Sequence, residues 1–157
     1  MLRPEGKQSG IRVIPPLVIL GAIVIASIID WLAPLGFGLP RMVRWIFAAI
    51  LIVAPLAAVP SILAAFARAR SAYDVRVVPK GLVTEGLFRY SRNPGYVAML
   101  VIGLGLAILF DDPWALLALV PAFFIIHREV VLKEEAILQR EFGEEYRQYV
   151  RHVRRWI

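Results

Sequence analysis

Residues 94–110 read PGYVAMLVIGLGLAILF and are followed by the turn Asp111-Asp112-Pro113 and a second apolar run. The first run carries no charge and approaches the ~20 residues that cross a hydrocarbon core. Backbone N–H and C=O groups find no water in lipid, so both runs are predicted to be helices. The short turn between them predicts that the two helices are antiparallel neighbours.

Two earlier apolar segments indicate the same class of structure. They run from about Val13 to Leu35 and from about Trp45 to Ala67. Hydrophobic residues make up 59% of the 157-residue chain, above the roughly 45–50% of ordinary soluble domains. The predicted fold is all-α. We expect a single integral membrane domain over residues 1–157, with about four transmembrane helices and a cytoplasmic carboxyl-terminal helical tail.

The formal charge of +6 is distributed unevenly among the loops. Cations are concentrated at the amino terminus (Arg3, Lys7 and Arg12), in the connection between the second and third segments, and in the tail, whereas the Asp111-Asp112 turn is acidic. The positive-inside rule then places both termini in the cytoplasm, and it accounts for the basic balance without a nucleic-acid partner. Arg41 and Arg44 are exceptions, because they fall on the opposite side.

Cysteine is absent from the chain. This excludes disulfides, thiolate catalysis and cysteine-ligated metal sites. No metal site is predicted.

The fourth apolar helix is predicted to extend beyond the membrane. Asp112 is a good N-cap and Pro113 a good first residue, and Gly143 is the first residue suited to end the helix. A helix from Pro113 to Gly143 is about 45 Å long at 1.5 Å per residue, whereas the hydrocarbon core of a bilayer is about 30 Å thick. The last turns, which carry Glu129, Glu134 and Glu135, are therefore expected in the cytoplasm.

A polar segment, GLFRYSRNPGY at residues 86–96, precedes the third apolar helix. Ser91 or Asn93 can cap that helix, with Pro94 at its first position. A helix start offers free N–H groups and partial positive charge to an anion, and Arg92 adds a fork of donors. An ordinary helix start, with its arginines at lipid headgroups, is the alternative.

Counting helical rise from the Asp111-Asp112 turn places Arg92, Asn93 and Tyr96 near the level of Glu134 and Glu135. A carboxylate at this level can hold an ammonium group or a ribose diol. The alternative interpretation of the glutamates is a solvated charged face.

The tail after Gly143 carries Tyr146 and Tyr149 at helical spacing. It is predicted to form a short helix that folds back against the start of the third apolar helix, with its aromatic rings over a bound adenine. An interfacial anchor is the alternative.

These patterns together resemble the isoprenylcysteine carboxyl methyltransferase and phospholipid methyltransferase superfamily. The resemblance covers about residues 79–156 and rests on GLVTEG (81–86), FRYSRNP (88–94), Tyr96, Glu134-Glu135, Leu138, Phe142-Gly143, Tyr146 and Tyr149. It divides the chain into a two-span part, 1–78, and a cofactor-binding part, 79–157. The chain is short, like bacterial members, so the bacterial inner membrane is the expected location.

The resemblance implies S-adenosylmethionine as the cofactor and methyl transfer to a lipophilic acceptor, either the carboxylate of a prenylcysteine-like compound or a lipid amine. The prenylcysteine branch usually has histidine in place of Asn93, a departure that bears on the acceptor and not on the cofactor. The residues expected around the cofactor are Arg92, Asn93, Pro94, Tyr96, Glu134, Glu135, Tyr146 and Tyr149, with Arg92 and Glu135 as the catalytic pair.

Other functions stay open at this point. One is an NADPH-dependent membrane reductase of the sterol-reductase type, which resembles this superfamily in its carboxyl-terminal part. Another is a non-enzymatic membrane subunit. An amine acceptor needs a base, for which Glu129, Glu134 and Glu135 are candidates. Membrane lipids are expected partners, and the oligomeric state is unknown from the sequence.

Overall fold

The computed structural model describes residues 9–71, 73–74 and 76–157, and helices account for its regular structure. The elements are α1 (Pro15–Leu32), α2 (Arg41–Arg68), a short 3₁₀ helix (Gly86–Arg89), α3 (Pro94–Phe110), α4 (Pro113–Ile126), a turn of π-helix (His127–Val131) and α5 (Leu132–His152). The all-α prediction is confirmed. The amino-terminal cations Arg3 and Lys7 lie outside the described residues.

Among the residues that the structure describes, three stretches are long and apolar enough to cross a membrane: α1, α2 and the continuous helical run Pro113–His152. The third predicted span, α3, is helical as expected but has 17 residues, at the short limit for a membrane crossing. Large apolar side chains are exposed along α1 and α2; Ile25 is 60% exposed and Ile46 61%. Such faces are stable in lipid and costly in water, so the chain is a membrane protein.

Contacts between residues group the chain into two units, of which the first contains residues 14–59 and 95–126. Its interior is made of small residues. Ala26, Ala107 and Ala115 are almost completely buried and form one cluster. A Cβ added at Gly103 would lie 2.8 Å from Leu119 Cδ2, so a larger residue there would require the Leu119 side chain to move. Small residues permit close packing where lipid provides no hydrophobic drive for association.

The acidic turn between α3 and α4 is tied into this first unit. Asp112 is 3% exposed, and its Oδ1 accepts the Ala115 N–H at 2.9 Å, which confirms the predicted N-cap. Asp111 adopts a φ of 60° and binds Arg44 at 3.1 Å. Arg44, an exception to the positive-inside pattern, is thus neutralised by an acid of its own unit.

The second unit contains residues 60–94 and 127–157 together with the described part of 1–13. The rings of Phe66 and Phe88 pack edge to face, with centroids 5.5 Å apart. Arg68 pairs with Glu85 at 3.0 Å, so the end of α2 is joined to the segment before the 3₁₀ helix. This unit contains the polar residues singled out in the sequence around Arg92 and Glu135.

Two irregularities occur in the run from Pro113 to His152. The predicted stop at Gly143 is confirmed as a break within α5: its φ of 50° and ψ of −114° are not helical, and glycine adopts them at little cost. The helix resumes after the break and reaches His152. The helix is continuous up to Gly143, as expected, but it contains one π-helical turn at His127–Val131.

Candidate functional site

The start of α3 is shaped by hydrogen bonds within its own polar segment. The Ser91 hydroxyl accepts the main-chain N–H of Asn93 at 3.1 Å, and both residues are 8% exposed. Pro94 then begins the helix, as the sequence predicted. The Asn93 side chain is therefore available for a contact elsewhere.

The tail folds back onto this segment. Arg92 donates its main-chain N–H to the Arg154 carbonyl at 2.9 Å, and Asn93 Nδ2 donates to the Arg155 carbonyl at 2.8 Å. Tyr149 donates its hydroxyl to the Phe88 carbonyl at 2.7 Å. The predicted fold-back against the start of α3 is confirmed.

A charged cluster joins Glu135, in the first part of α5, to residues of the tail and to Arg92. The Glu135 carboxylate accepts two hydrogen bonds from Arg155, from Nε at 2.9 Å and from Nη2 at 2.8 Å. Arg92 Nη1 reaches the same carboxylate at 3.2 Å and the Tyr146 hydroxyl at 3.4 Å. The hydrogen bonds to Glu135 raise the pKa of the Arg155 guanidinium. Glu135 is thus held between two arginines.

Arg92 retains unused donor capacity. Its side chain is 11% exposed, and its Nε is buried without a hydrogen-bond partner among the residues that the structure describes. Buried donors in proteins are nearly always satisfied, so an orphaned one calls for an explanation. This Nε is enclosed by protein and has almost no solvent-accessible surface.

An open cavity of about 550 Å³ adjoins this cluster, within the usual range for small-molecule sites. Four arginines and one glutamate line it, so its net charge is positive. The lining residues are Arg92, Leu132, Glu135, Ala136, Gln139, Tyr146, Arg147, Val150, Arg151 and Arg155. Arg147 and Arg151 both reach Glu144, at 3.2 and 3.7 Å, on the solvent side.

Three of the eight predicted cofactor residues line the cavity: Arg92, Glu135 and Tyr146. Asn93 and Tyr149 lie next to it and hold the tail, each through a hydrogen bond to a main-chain carbonyl. Pro94 starts α3, and its contribution is to the local backbone. Cofactor contacts by these three neighbouring residues remain a prediction.

The structure does not bring the remaining predicted residues to the described lining. Glu134 and Tyr96 are half-buried, and neither is among the residues around the cavity. Glu129, a candidate base, is paired with Lys133 at 2.6 Å on an exposed face. Their roles in the site also remain predictions.

Sequence reasoning missed Gln139, Arg147, Arg151 and Arg155. A usable signal existed for part of this set, because Leu132, Glu135, Ala136 and Gln139 recur at helical spacing and share one face of α5. Arg155 had no such signal. It follows the end of α5 in a segment with extended backbone, so its position depends on tertiary contacts.

A family model described as phospholipid methyltransferase matches residues 43–145, about two thirds of the chain. The chain belongs to the phospholipid methyltransferase family. The resemblance seen in the sequence is thereby confirmed. The match ends just before Tyr146, so the part of the tail that carries Tyr149 and Arg155 lies outside it.

Curated relatives are similar over shorter regions. A probable protein-S-isoprenylcysteine O-methyltransferase of Oryza sativa subsp. indica is 29% identical over 72 residues, which cover 46% of this chain and 38% of that protein. Protein-S-isoprenylcysteine O-methyltransferase B of Arabidopsis thaliana is also 29% identical over 72 residues, covering 46% and 36%. An uncharacterised protein of Haemophilus influenzae is 32% identical over 62 residues, covering 40% and 98%.

Proposed function

We propose that this member of the phospholipid methyltransferase family transfers a methyl group from S-adenosylmethionine to a lipophilic acceptor at the cytoplasmic face of a membrane. The observation that carries the proposal is the cavity beside the Arg92–Glu135 pair, which both residues line. In this proposal residues 79–157 form the cofactor-binding part, and the acceptor is a prenylcysteine-like carboxylate or a lipid amine.

The residues present fit the proposed cofactor. Arg92 lines the cavity and can donate hydrogen bonds to its carboxylate, and charge-assisted hydrogen bonds of this kind are among the stronger ones. Gln139 can hydrogen bond to a ribose or a base, and Leu132, Ala136 and Val150 provide apolar wall for the adenine. The cofactor supplies an electrophilic methyl group.

Glu135 has a more specific role in this proposal than the ammonium contact expected from the sequence. Both of its oxygens already accept hydrogen bonds from Arg155 or Arg92. It therefore acts mainly by orienting Arg92. Accurate positioning is the main contribution that a protein makes to a direct displacement, in which the acceptor attacks the methyl carbon.

Tyr146 completes the wall on the tail side. It is 3% exposed, and its hydroxyl contacts Arg92. Water excluded by this ring cannot compete with the acceptor for the methyl group. A carboxylate acceptor then requires no base, whereas an amine would lose a proton to one of the three candidate glutamates or to water.

The excess of arginines around the cavity favours a second candidate function. A phosphorylated dinucleotide such as NADPH carries several negative charges, and four arginines line the cavity. The same cavity would then serve a reductase. Direct titration with both cofactors distinguishes the two functions, because each binds its own cofactor.

Sealed vesicles from the native host provide a test of activity and orientation together. S-adenosylmethionine labelled in the methyl group does not cross the membrane, and we propose that both termini and the site face the cytoplasm of a bacterial inner membrane. Inside-out vesicles should therefore transfer label into the lipid-extractable fraction, whereas right-side-out vesicles should not. Vesicles from a host that lacks the gene are the control.

The vesicles test the membrane orientation and the transferase activity separately. Label transferred by right-side-out vesicles alone would overturn the orientation. Equal labelling with and without the gene, in vesicles of both orientations, would argue against the transferase.

A further inference from the structure

Arg155 makes an unusually complete contact for a residue two positions from the end of the described chain. Its Nε and Nη2 bind the two oxygens of Glu135 side by side, at 2.9 and 2.8 Å. This two-point geometry specifies the orientation of a carboxylate, which a single contact cannot do. The orientation of Glu135 is thus determined by a residue of the tail.

The position of Arg155 is itself fixed by the start of α3. Two hydrogen bonds hold the tail backbone in place. The Arg92 main-chain N–H donates to the Arg154 carbonyl, and Asn93 Nδ2 donates to the Arg155 carbonyl. Asn93 is 8% exposed, so its amide is shielded from competing water. The Asn93 side chain therefore holds the residue that holds Glu135.

The arrangement leaves part of Arg92 unused. Arg155 occupies both carboxylate oxygens, and Arg92 approaches from the side through Nη1. Without Arg155, Glu135 would be free to turn and pair side-on with Arg92, as arginine and carboxylate groups commonly do. That pairing would change the orientation of the Arg92 guanidinium, which is proposed to meet the cofactor.

We propose that Arg155 is a positioning residue that orients Glu135 and, through it, Arg92, and that Asn93 holds Arg155 in place through its main-chain carbonyl. The inference rests on the proposed function for its effect on the cofactor. The contact between Asn93 and the tail, however, can be tested without any ligand. This role of Arg155 is exerted through Glu135, although Arg155 also lines the cavity.

Calorimetric titration of the purified full-length protein with S-adenosylhomocysteine measures the effect on the cofactor site. Arg155→Ala should weaken binding by about tenfold or more, as for loss of a charge-assisted hydrogen bond. Arg155→Lys should recover part of the affinity, since lysine keeps the charge and loses the two-point geometry. Arg154→Ala is the matched control, because it removes the same charge and leaves the main-chain contacts in place; it should bind like the parent.

Asn93→Ala should weaken S-adenosylhomocysteine binding through the same contact. Because Asn93 and Arg155 act in series, the double variant should bind no more weakly than Arg155→Ala alone, and their effects should not add. Thermal unfolding of each variant shows whether the fold is retained.

Hydrogen exchange without ligand gives an independent measurement. The main-chain N–H of Arg92 is the direct reporter, since it donates to the Arg154 carbonyl. Its exchange should be faster in Asn93→Ala and Arg155→Ala than in the parent or in Arg154→Ala. Unchanged exchange in Asn93→Ala would overturn the proposed role of Asn93.

The two levels of the proposal can be separated. If the parent binds S-adenosylhomocysteine and Arg155→Ala binds it within twofold, the positioning role is wrong and the proposed function stands. If the folded parent fails to bind it, both the proposed function and the proposed effect of Arg155 on cofactor binding are wrong. Exchange at Arg92 would then decide the tail contact by itself.

Discussion

Replacement of Glu135 by alanine should lower the affinity for S-adenosylhomocysteine by roughly a hundredfold. The carboxylate is the shared partner of Arg92 and Arg155, and its removal leaves two guanidinium groups facing each other. A hundredfold loss corresponds to about 2.7 kcal/mol, within the roughly 1.5–3 kcal/mol that a hydrogen bond to a charged group contributes. The Arg155 side chain is 37% exposed, so water screens its part of the cluster.

Two further variants show whether the effect belongs to the cluster. Glu135→Gln keeps the shape and loses the charge, so it should lose most of the same affinity. Glu141→Ala removes an exposed glutamate of the same helix, paired with Arg140 at the surface, and should bind normally. A Glu135→Ala protein that binds within threefold of the parent would contradict the proposed cluster.

Truncation after Gly143 should abolish S-adenosylhomocysteine binding to below detection. It removes Tyr146, Arg147, Val150, Arg151 and Arg155, which form half of the cavity lining. Helices α1 to α4 do not include these residues, so we expect the apolar helical part to remain folded. Circular dichroism and a monodisperse elution profile would check that expectation.

A single substitution in the full-length chain tests the tail with less disruption than the truncation. Tyr149→Phe removes one hydroxyl, which donates to the Phe88 carbonyl, and leaves every lining residue in place. Its affinity should fall by about five- to tenfold, as expected for roughly 1 kcal/mol from one neutral hydrogen bond. A folded truncated protein that still binds the ligand would show that the tail is dispensable.

Local rules were enough to predict several elements from the sequence. Asp112 and Pro113 start α4 because a side-chain oxygen and a preset φ are useful at that position in any context. Gly143 breaks α5 because its positive φ favours glycine. Helical rise counted from the Asp111-Asp112 turn predicted that Arg92 and Glu135 lie at the same level, and Arg92 Nη1 is 3.2 Å from Glu135 Oε1.

Other features depend on contacts that no local pattern records. The pairing of Arg44 with Asp111 and of Arg155 with Glu135 joins residues far apart in the chain. The direction of the tail after Gly143 is set by the carbonyl contacts to Arg92 and Asn93. The π-helical turn at His127–Val131 also escaped prediction, because such turns have no compositional signature.

The roles expected of Asn93 and Glu135 show the difference between finding a site and assigning its contacts. The sequence placed both residues near a cofactor, and the structure places both beside the cavity. Yet the Asn93 amide is used by the Arg155 carbonyl, and the Glu135 oxygens are used by arginines. Residue type and spacing locate such a cluster, whereas partners within it follow from the packed tail.

Titration of the purified protein with S-adenosylhomocysteine and, separately, with NADPH measures which cofactor the protein binds. We expect saturable binding of S-adenosylhomocysteine at one site per chain and no saturable binding of NADPH at the same concentrations. Saturation by NADPH, with no heat from S-adenosylhomocysteine, would contradict the proposed methyl transfer and favour a reductase. Failure of a folded protein to bind either ligand would contradict it as well and favour a membrane subunit without a cofactor.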